Sequence, residues 1–298
     1  MALASFAAAQ TGPLVNGVAE SYFQSESGKR GFQNQVWWGE LDYHPSSYVD
    51  FTGSYLLSGT YHSWDELYMK VHWDLGSVQI GRMRTHYGFN TWADYYYTGF
   101  NQFPIVRMIP LVDNLRLLRD DSGVEASTNI GDTTIWASAI QPGPPSDEIA
   151  PQEVNTSTAR VQHAFGSLIA GGDFLSPWKG DEKIYGVDAR YTFPQVLMRG
   201  EAFWGVGDDA SNGFYVDAQY RLPKLYRTQI VGRYDSVNLY DQGSGHLTTL
   251  GVRQIFNKYA NLNANYVYGT HLPYGGYSNA GPFRGWSARL MFSLPFKF

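Results

Sequence analysis

The sequence predicts an all-β chain, a transmembrane antiparallel β-barrel of about sixteen strands, and three observations carry that reading. First, the last ten residues alternate: Phe298, Phe296, Leu294, Phe292 and Leu290 share one parity, and Lys297, Pro295, Ser293, Met291 and Arg289 the other. A strand turns successive side chains to opposite faces, so this segment has one greasy face and one mostly polar face. Second, segments of about ten residues with the same character recur along the whole chain. Third, the connections between them alternate between short and mostly longer. Composition agrees: 16% aromatic, 32 glycines, only 16% charged and no cysteine. No apolar run approaches the roughly 18 residues that a membrane-crossing helix needs. A soluble β-sandwich or lectin is the competing reading of these features.

The elements follow in order. Residues 1–9 end in Ala7, Ala8 and Ala9, the small residues of a signal-peptide cleavage site, which leaves 10–298 as a single barrel domain. Strands are expected near 14–24, 33–43, 48–57, 66–75 and 77–84, then 119–127, 132–140, 155–164, 167–176, 183–193 and 195–205. The last five fall near 212–222, 225–235, 246–256, 259–269 and 284–298. The fourth is clean, with Leu67, Met69, Val71 and Trp73 opposing Tyr68, Lys70, His72 and Asp74. So are the twelfth, where Phe214, Val216 and Ala218 oppose Tyr215, Asp217 and Gln219, and the fifteenth, where Leu262, Ala264 and Tyr266 oppose Asn261, Asn263 and Asn265. The connections after even strands are short, from His44–Ser47 to Asn257–Lys258, and three carry a proline, as tight turns do. Those after odd strands include 25–32, 58–65, 85–118, 141–154 and 270–283. Segments 119–127 and 132–140 are weakly patterned. In 77–84, Arg82 and Arg84 share parity with Val78 and Ile80. A charge facing lipid at mid-membrane costs about 2–4 kcal/mol, so either a bulge at Gly81 switches the faces or both arginines lie in the aqueous rim.

Polar parity defines the lumen. Later strands place Arg160, Arg190, Arg199, Arg221, Arg227, Arg233, Arg253 and Arg289 there, and early strands Glu20, Glu40, Asp42, Asp50 and Asp74, with Lys70 the exception. A basic arc facing an acidic one would set a transverse field across the pore. The blander outcome is pairing along a strand: Asp188 with Arg190, Glu201 with Arg199, Asp217 with Arg221, Asp235 with Arg233. Fifteen arginines against seven lysines suit bidentate contact with phosphate or carboxylate. Lumen-parity aromatics (Trp38, Tyr68, Phe203 and Tyr215) are too scattered for a sugar-binding track. The net charge of −5 does not point to nucleic acid. The seven histidines show no metal-ligand spacing, and there is no nucleophile elbow or phosphate loop. His72, Ser54 and Asp50 or Asp74 could in principle act together as an enzyme's, but a lone lumen histidine is far more often a polar wall residue, so no enzyme and no cofactor are expected.

The terminal alternation ending on Phe298 resembles the closing strand of a bacterial outer-membrane β-barrel, where the last Phe is read by the insertion machinery. The connection 85–118 follows the fifth strand and is rich in aromatics. Its position is similar to that of the third external loop of sixteen-stranded general porins. That resemblance implies short periplasmic turns, long external loops and a third loop folded into the lumen. Tyr87, Trp92, Asp94, Tyr95, Tyr96, Arg107 and Asp113 would then form the constriction. It also implies a homotrimer set in outer-membrane lipid and lipopolysaccharide, giving passive diffusion of small hydrophilic solutes and ions. The stretch Val78–Phe89 resembles a segment of the phosphate-selective porin O/P family, although that family usually has Pro where His86 stands. It implies an alternative, a substrate-specific anion channel. A third possibility is a barrel plugged by its loop and holding a periplasmic or surface partner.

Overall fold

The structure is a computed structural model and describes residues 14–26, 29–58, 61–89, 98–101, 103–112, 115–117, 120–143, 154–225, 227–240, 243–270 and 283–297. The side chains of β1 and of parts of β2, β4 and β18 fall outside that description. The proposed signal segment, Tyr226 and Phe298 lie outside the described residues as well.

Sixteen strands form one closed antiparallel sheet. They are β1 (Leu14–Glu26), β2 (Lys29–Ser46), β3 (Val49–Ser58), β4 (Tyr61–Trp73), β5 (Gly76–Met83), β8 (Asp120–Ile130), β9 (Thr133–Gly143) and β10 (Thr156–Phe165). Then follow β11 (Leu168–Pro177), β12 (Lys183–Thr192), β13 (Val196–Val206), β14 (Asn212–Arg221), β15 (Thr228–Leu239), β16 (Gly243–Asn257), β17 (Ala260–Thr270) and β18 (Phe283–Lys297). Two further short strands, β6 (Pro110–Val112) and β7 (Leu115–Arg116), pair with each other in the long connection, so β5 neighbours β8 in the barrel. The seam closes between β1 and β18, from Leu14 opposite Lys297 to Glu26 opposite Gly285. Closure leaves no edge with unpaired backbone groups, the condition for crossing lipid with strands.

Alternation decides the two faces. Along β14 and β15, Gly213, Tyr215, Asp217, Val231, Arg233 and Asp235 are buried, while Phe214, Val216, Ile230 and Tyr234 are exposed. The outer surface therefore carries large apolar groups, with aromatics such as Trp73, Phe165, Phe193, Trp204 and Trp286 exposed on it. That arrangement suits a lipid-facing band with aromatic girdles.

Three expectations change. The connections 25–32 and 58–65 are largely strand: β1 runs to Glu26 and β2 starts at Lys29, and β3 and β4 leave only 59–60 between them. Backbone pairing continues past the point where side-chain alternation fades. At the other end, Arg227 precedes β15 in a turn and Asp74 lies in the turn between β4 and β5, so neither sits on a strand. Alternation ran on through both turns and hid them. Lastly, no bulge occurs at Gly81; the pairing of β5 with β4 and β8 is unbroken, and Arg82 stays opposite Leu67. Arg82 is the penultimate residue of β5 and Arg84 lies beyond it, which places both at the loop end of the strand.

Gly81 matters for another reason. It faces Gly123 across the ladder, and both have positive φ, +134° and +157°. A Cβ at Gly81 would run into the Leu67 carbonyl and stand 2.8 Å from the Tyr68 Cα. Only glycine fits here. Gly81→Val should cost about 1–3 kcal/mol, read as a lower temperature for conversion of the compact barrel band to the unfolded one on a gel.

Candidate functional site

The long connection between β5 and β8 folds inward along the wall, and every stage of its described course is tied down. At its root, the Thr85 hydroxyl donates to Asp121 and the His86 N–H to Glu125 Oε2 at 2.8 Å. The His86 ring donates from Nδ1 to Glu125 Oε1 at 2.6 Å and stacks on Trp136 at 4.9 Å. Gln79 Nε2 donates to the same Glu125 oxygen at 2.9 Å. His86, the residue that departs from the Val78–Phe89 motif, is thus what fixes the loop's direction as it enters the lumen.

The next anchor is a buried ion pair. Arg107 lies on the short helix α1 (Ile105–Met108), and its Nε donates to Glu201 Oε2 at 2.7 Å while Nη2 meets Oε1. The Glu201 side chain, on β13, has no exposed surface and also accepts from the Phe89 N–H. Burial works against the charge on Arg107, but the Glu201 carboxylate outweighs it and holds the guanidinium above its ordinary pKa. Gly88, at φ +65°, passes so close that a Cβ there would meet the Glu201 oxygen and come within 2.6 Å of Arg107 Nη2. The Gly88 N–H donates to Asp173 Oδ1 at 2.9 Å, and the Tyr87 hydroxyl to the Ile184 carbonyl at 3.0 Å.

Farther along, the loop's own backbone is gripped by wall side chains. Arg289 Nη2 donates to the Phe100 carbonyl at 2.9 Å, and Asn265 Nδ2 to the Gly99 carbonyl at 3.0 Å. Asp235 Oδ1 accepts from the Ile105 N–H at 3.0 Å, and Arg233 Nη2 donates to the Phe103 carbonyl at 3.1 Å. Between these polar pins lies an apolar core inside the barrel. Ile105, Val106, Ile109 and Leu111 of the loop pack with wall residues such as Leu175, Ile184, Phe203 and Val237. Lumen parity therefore does not mean polarity where the loop lies. Phe203 and Tyr215 are covered by it, and Tyr87 stacks on Phe203 at 5.6 Å.

The lumen charges pair, mostly across strands rather than along them. Arg160 donates to Asp173, directly opposite it, at 2.8 Å and to Asp188 Oδ2 at 2.5 Å. Arg199 takes Asp217, its opposite on β14, at 2.5 and 3.1 Å. Of the four pairs expected from spacing, Arg233 with Asp235 forms, at 2.8 Å. Directly opposite residues on neighbouring strands are closer than i and i+2 on one strand, so cross-strand pairing wins. Arg190 is half-buried near the turn end of β12, and Arg221 is exposed at the end of β14. Arg227, in its turn, donates to the Phe256 carbonyl at 2.7 Å. Arg253 is buried against Gly99 of the loop.

On the facing wall, Glu40, Asp42 and Asp50 are half-buried with lumen parity, Asp42 accepting from the Thr52 hydroxyl at 2.9 Å. Asp50 is held by two histidines, His44 Nδ1 at 2.6 Å and His72 Nε2. Ser54 does not join them; its hydroxyl accepts from the Glu66 N–H at 3.0 Å. Trp92, Asp94, Tyr95, Tyr96 and Asp113, and the Glu20 side chain, lie outside the described residues. Among the described residues no group has the geometry to hold a metal.

No family model and no curated protein matches the sequence. Solved structures do match. An anion-selective porin from Comamonas acidovorans aligns over 94% of this chain and 98% of its own, with TM-score 0.72 and 14% identity. The outer membrane protein OmpT of Vibrio cholerae, in a trimer form, aligns over 95% and 100%, with TM-score 0.65 and 16% identity. OmpF of Salmonella typhi, in a complex with daunomycin, aligns over 94% and 97%, with TM-score 0.69 and 11% identity. The chain therefore shares the fold of these outer-membrane proteins, the sixteen-stranded porin barrel.

Proposed function

We propose that this protein is an outer-membrane porin, giving passive diffusion of small hydrophilic solutes and ions through a water-filled lumen narrowed by the 85–118 loop. The observation that carries this reading is the loop's attachment: it lies along the inner wall from β11 to β18, tied by backbone and side-chain bonds, and so acts as a fixed sieve rather than a moving lid. The likeness to outer-membrane barrels and the apolar, aromatic outer surface support a place in outer-membrane lipid and lipopolysaccharide. The trimer form of the Vibrio protein supports a homotrimer here. No catalytic or cofactor chemistry enters the reading.

An anion-specific channel built on the arginines, the phosphate-type alternative, has less support. Arg160, Arg199 and Arg233 are neutralised by buried carboxylates, and Arg233 and Arg289 also hold loop carbonyls. Replacing Arg233 and Arg289 should loosen the loop more than it shifts ion preference. Purified protein in a planar bilayer should give stepwise openings with weak ion selectivity. A membrane that stays silent after insertion would count against the channel reading.

A further inference from the structure

A cavity of about 370 Å³ opens on the lumen side of β4, β5, β8 and β9, beside the loop's root, and reaches Trp136, over whose ring the ion-paired Arg160 lies at 5.8 Å. Its lining includes Lys70, His72, His86, Ser77, Ser127 and Trp136. Among the described residues no carboxylate lines it. Two carboxylates of the same wall are already engaged: Asp50 by His44 and His72, Glu125 by His86 and Gln79. The β-ladder sets Asp50 directly opposite Lys70, so a surface ion pair would be the default. Instead each Asp50 oxygen goes to a histidine, and Lys70 makes no ion pair among the described residues. An ammonium, two oriented imidazoles and a pair of hydroxyls (Ser77 Oγ to Ser127 Oγ, 2.9 Å) thus face one space.

We propose that this cavity is a binding site for a small hydroxy-acid anion in transit, its carboxylate on Lys70 and its hydroxyls on Ser77, Ser127 and the free ring nitrogens of the histidines. The charge follows from an ammonium with no carboxylate in contact among the described residues, the best partner for which is an oxyanion. The size follows from the volume. A single inorganic oxyanion would leave most of it to water, whereas cavities from about 300 Å³ upward suit small organic ligands. The hydroxyl requirement follows from a lining that holds both donors and acceptors. The site rests on the channel reading only for the route by which solute reaches it.

The test uses gluconate as probe and inorganic phosphate as comparison, each titrated calorimetrically into the detergent-solubilised barrel, with block of chloride current recorded in planar bilayers. Saturable gluconate binding, one site per chain, is expected, and Lys70→Met should weaken it about tenfold or more, while Lys70→Arg keeps most of it. Binding that fails to saturate, or is unchanged in Lys70→Met, would overturn the site. Phosphate binding as tightly as gluconate would overturn the hydroxy-acid assignment. Should Lys70→Met not assemble, His86→Gln decides: several-fold weaker binding supports the site, and unchanged binding refutes it. Saturable binding without chloride current would sink the channel reading and leave the site standing; current without gluconate binding does the reverse.

Discussion

Glu201→Ala is expected to turn a steady channel into a flickering one. The change removes the carboxylate that holds Arg107 and the Phe89 N–H, and it leaves a guanidinium that is 5% exposed without its counter-charge. Breaking a buried pair on one side costs about 3–5 kcal/mol. The remaining pins at Phe100, Phe103 and Ile105 keep the loop inside the barrel, so the loss is local. The stretch around Phe89, held then only by the Gly88 and Tyr87 bonds, loosens and samples the aperture. Single-channel recording should show brief partial closures absent from the parent, and limited proteolysis should cut the loop. A quiet channel of unchanged conductance would show that the pair does not position the loop. The double change Arg107→Met with Glu201→Leu removes both charges and keeps apolar volume, so it should restore much of the quiet state.

Arg160→Met should destabilise the barrel as strongly. Its guanidinium is 2% exposed and sits between Asp173 and Asp188, whose side chains are fully buried. Without it two carboxylates share a closed space across β11 and β12, and the expected loss is again about 3–5 kcal/mol. The measurement is the denaturant midpoint of the folded gel band. Arg190→Met, on the same face of β12 but half-buried and outside the described ion pairs, should move it by less than about 0.5 kcal/mol. Equal effects of the two changes would remove any special role for the Arg160 triad.

The contrast between these two arginines shows what a sequence discloses about such a chain. Strand number and facing were legible because a lipid-facing barrel writes a period of two into every segment, clean in Leu67–Asp74 and Phe214–Arg221. Partners were legible only for Arg233 and Asp235, on one strand, because alternation gives the face of a residue and says nothing of register. Arg160 meets Asp173 and Arg199 meets Asp217 only once the neighbouring strands slide into place. Arg107, 94 residues from Glu201, carried no local mark of its role. One signal could have located the loop's bed. Phe203, Tyr215, Val237 and Leu247 are apolar residues of lumen parity near the same end of consecutive strands, and an aqueous lumen gives no reason for them. The Lys70 cavity was hidden for the same cause as the ion pairs. Only the register reveals that Asp50, opposite Lys70, is already taken.

The loop's bonds also constrain the order of assembly. They reach from residue 86 to Glu125 nearby, yet also from Phe100 to Arg289, a separation of 189 residues. Contacts so distant along the chain form late, since the chain entropy lost in bringing them together precedes any reward. The strand that supplies the last grip, β18, is also the one that seals the sheet against β1. Sealing the wall and seating the loop are therefore one cooperative event. A chain stalled before it would present an open-edged, unfilled sheet, the species that quality control in the cell envelope would have to recognise and remove.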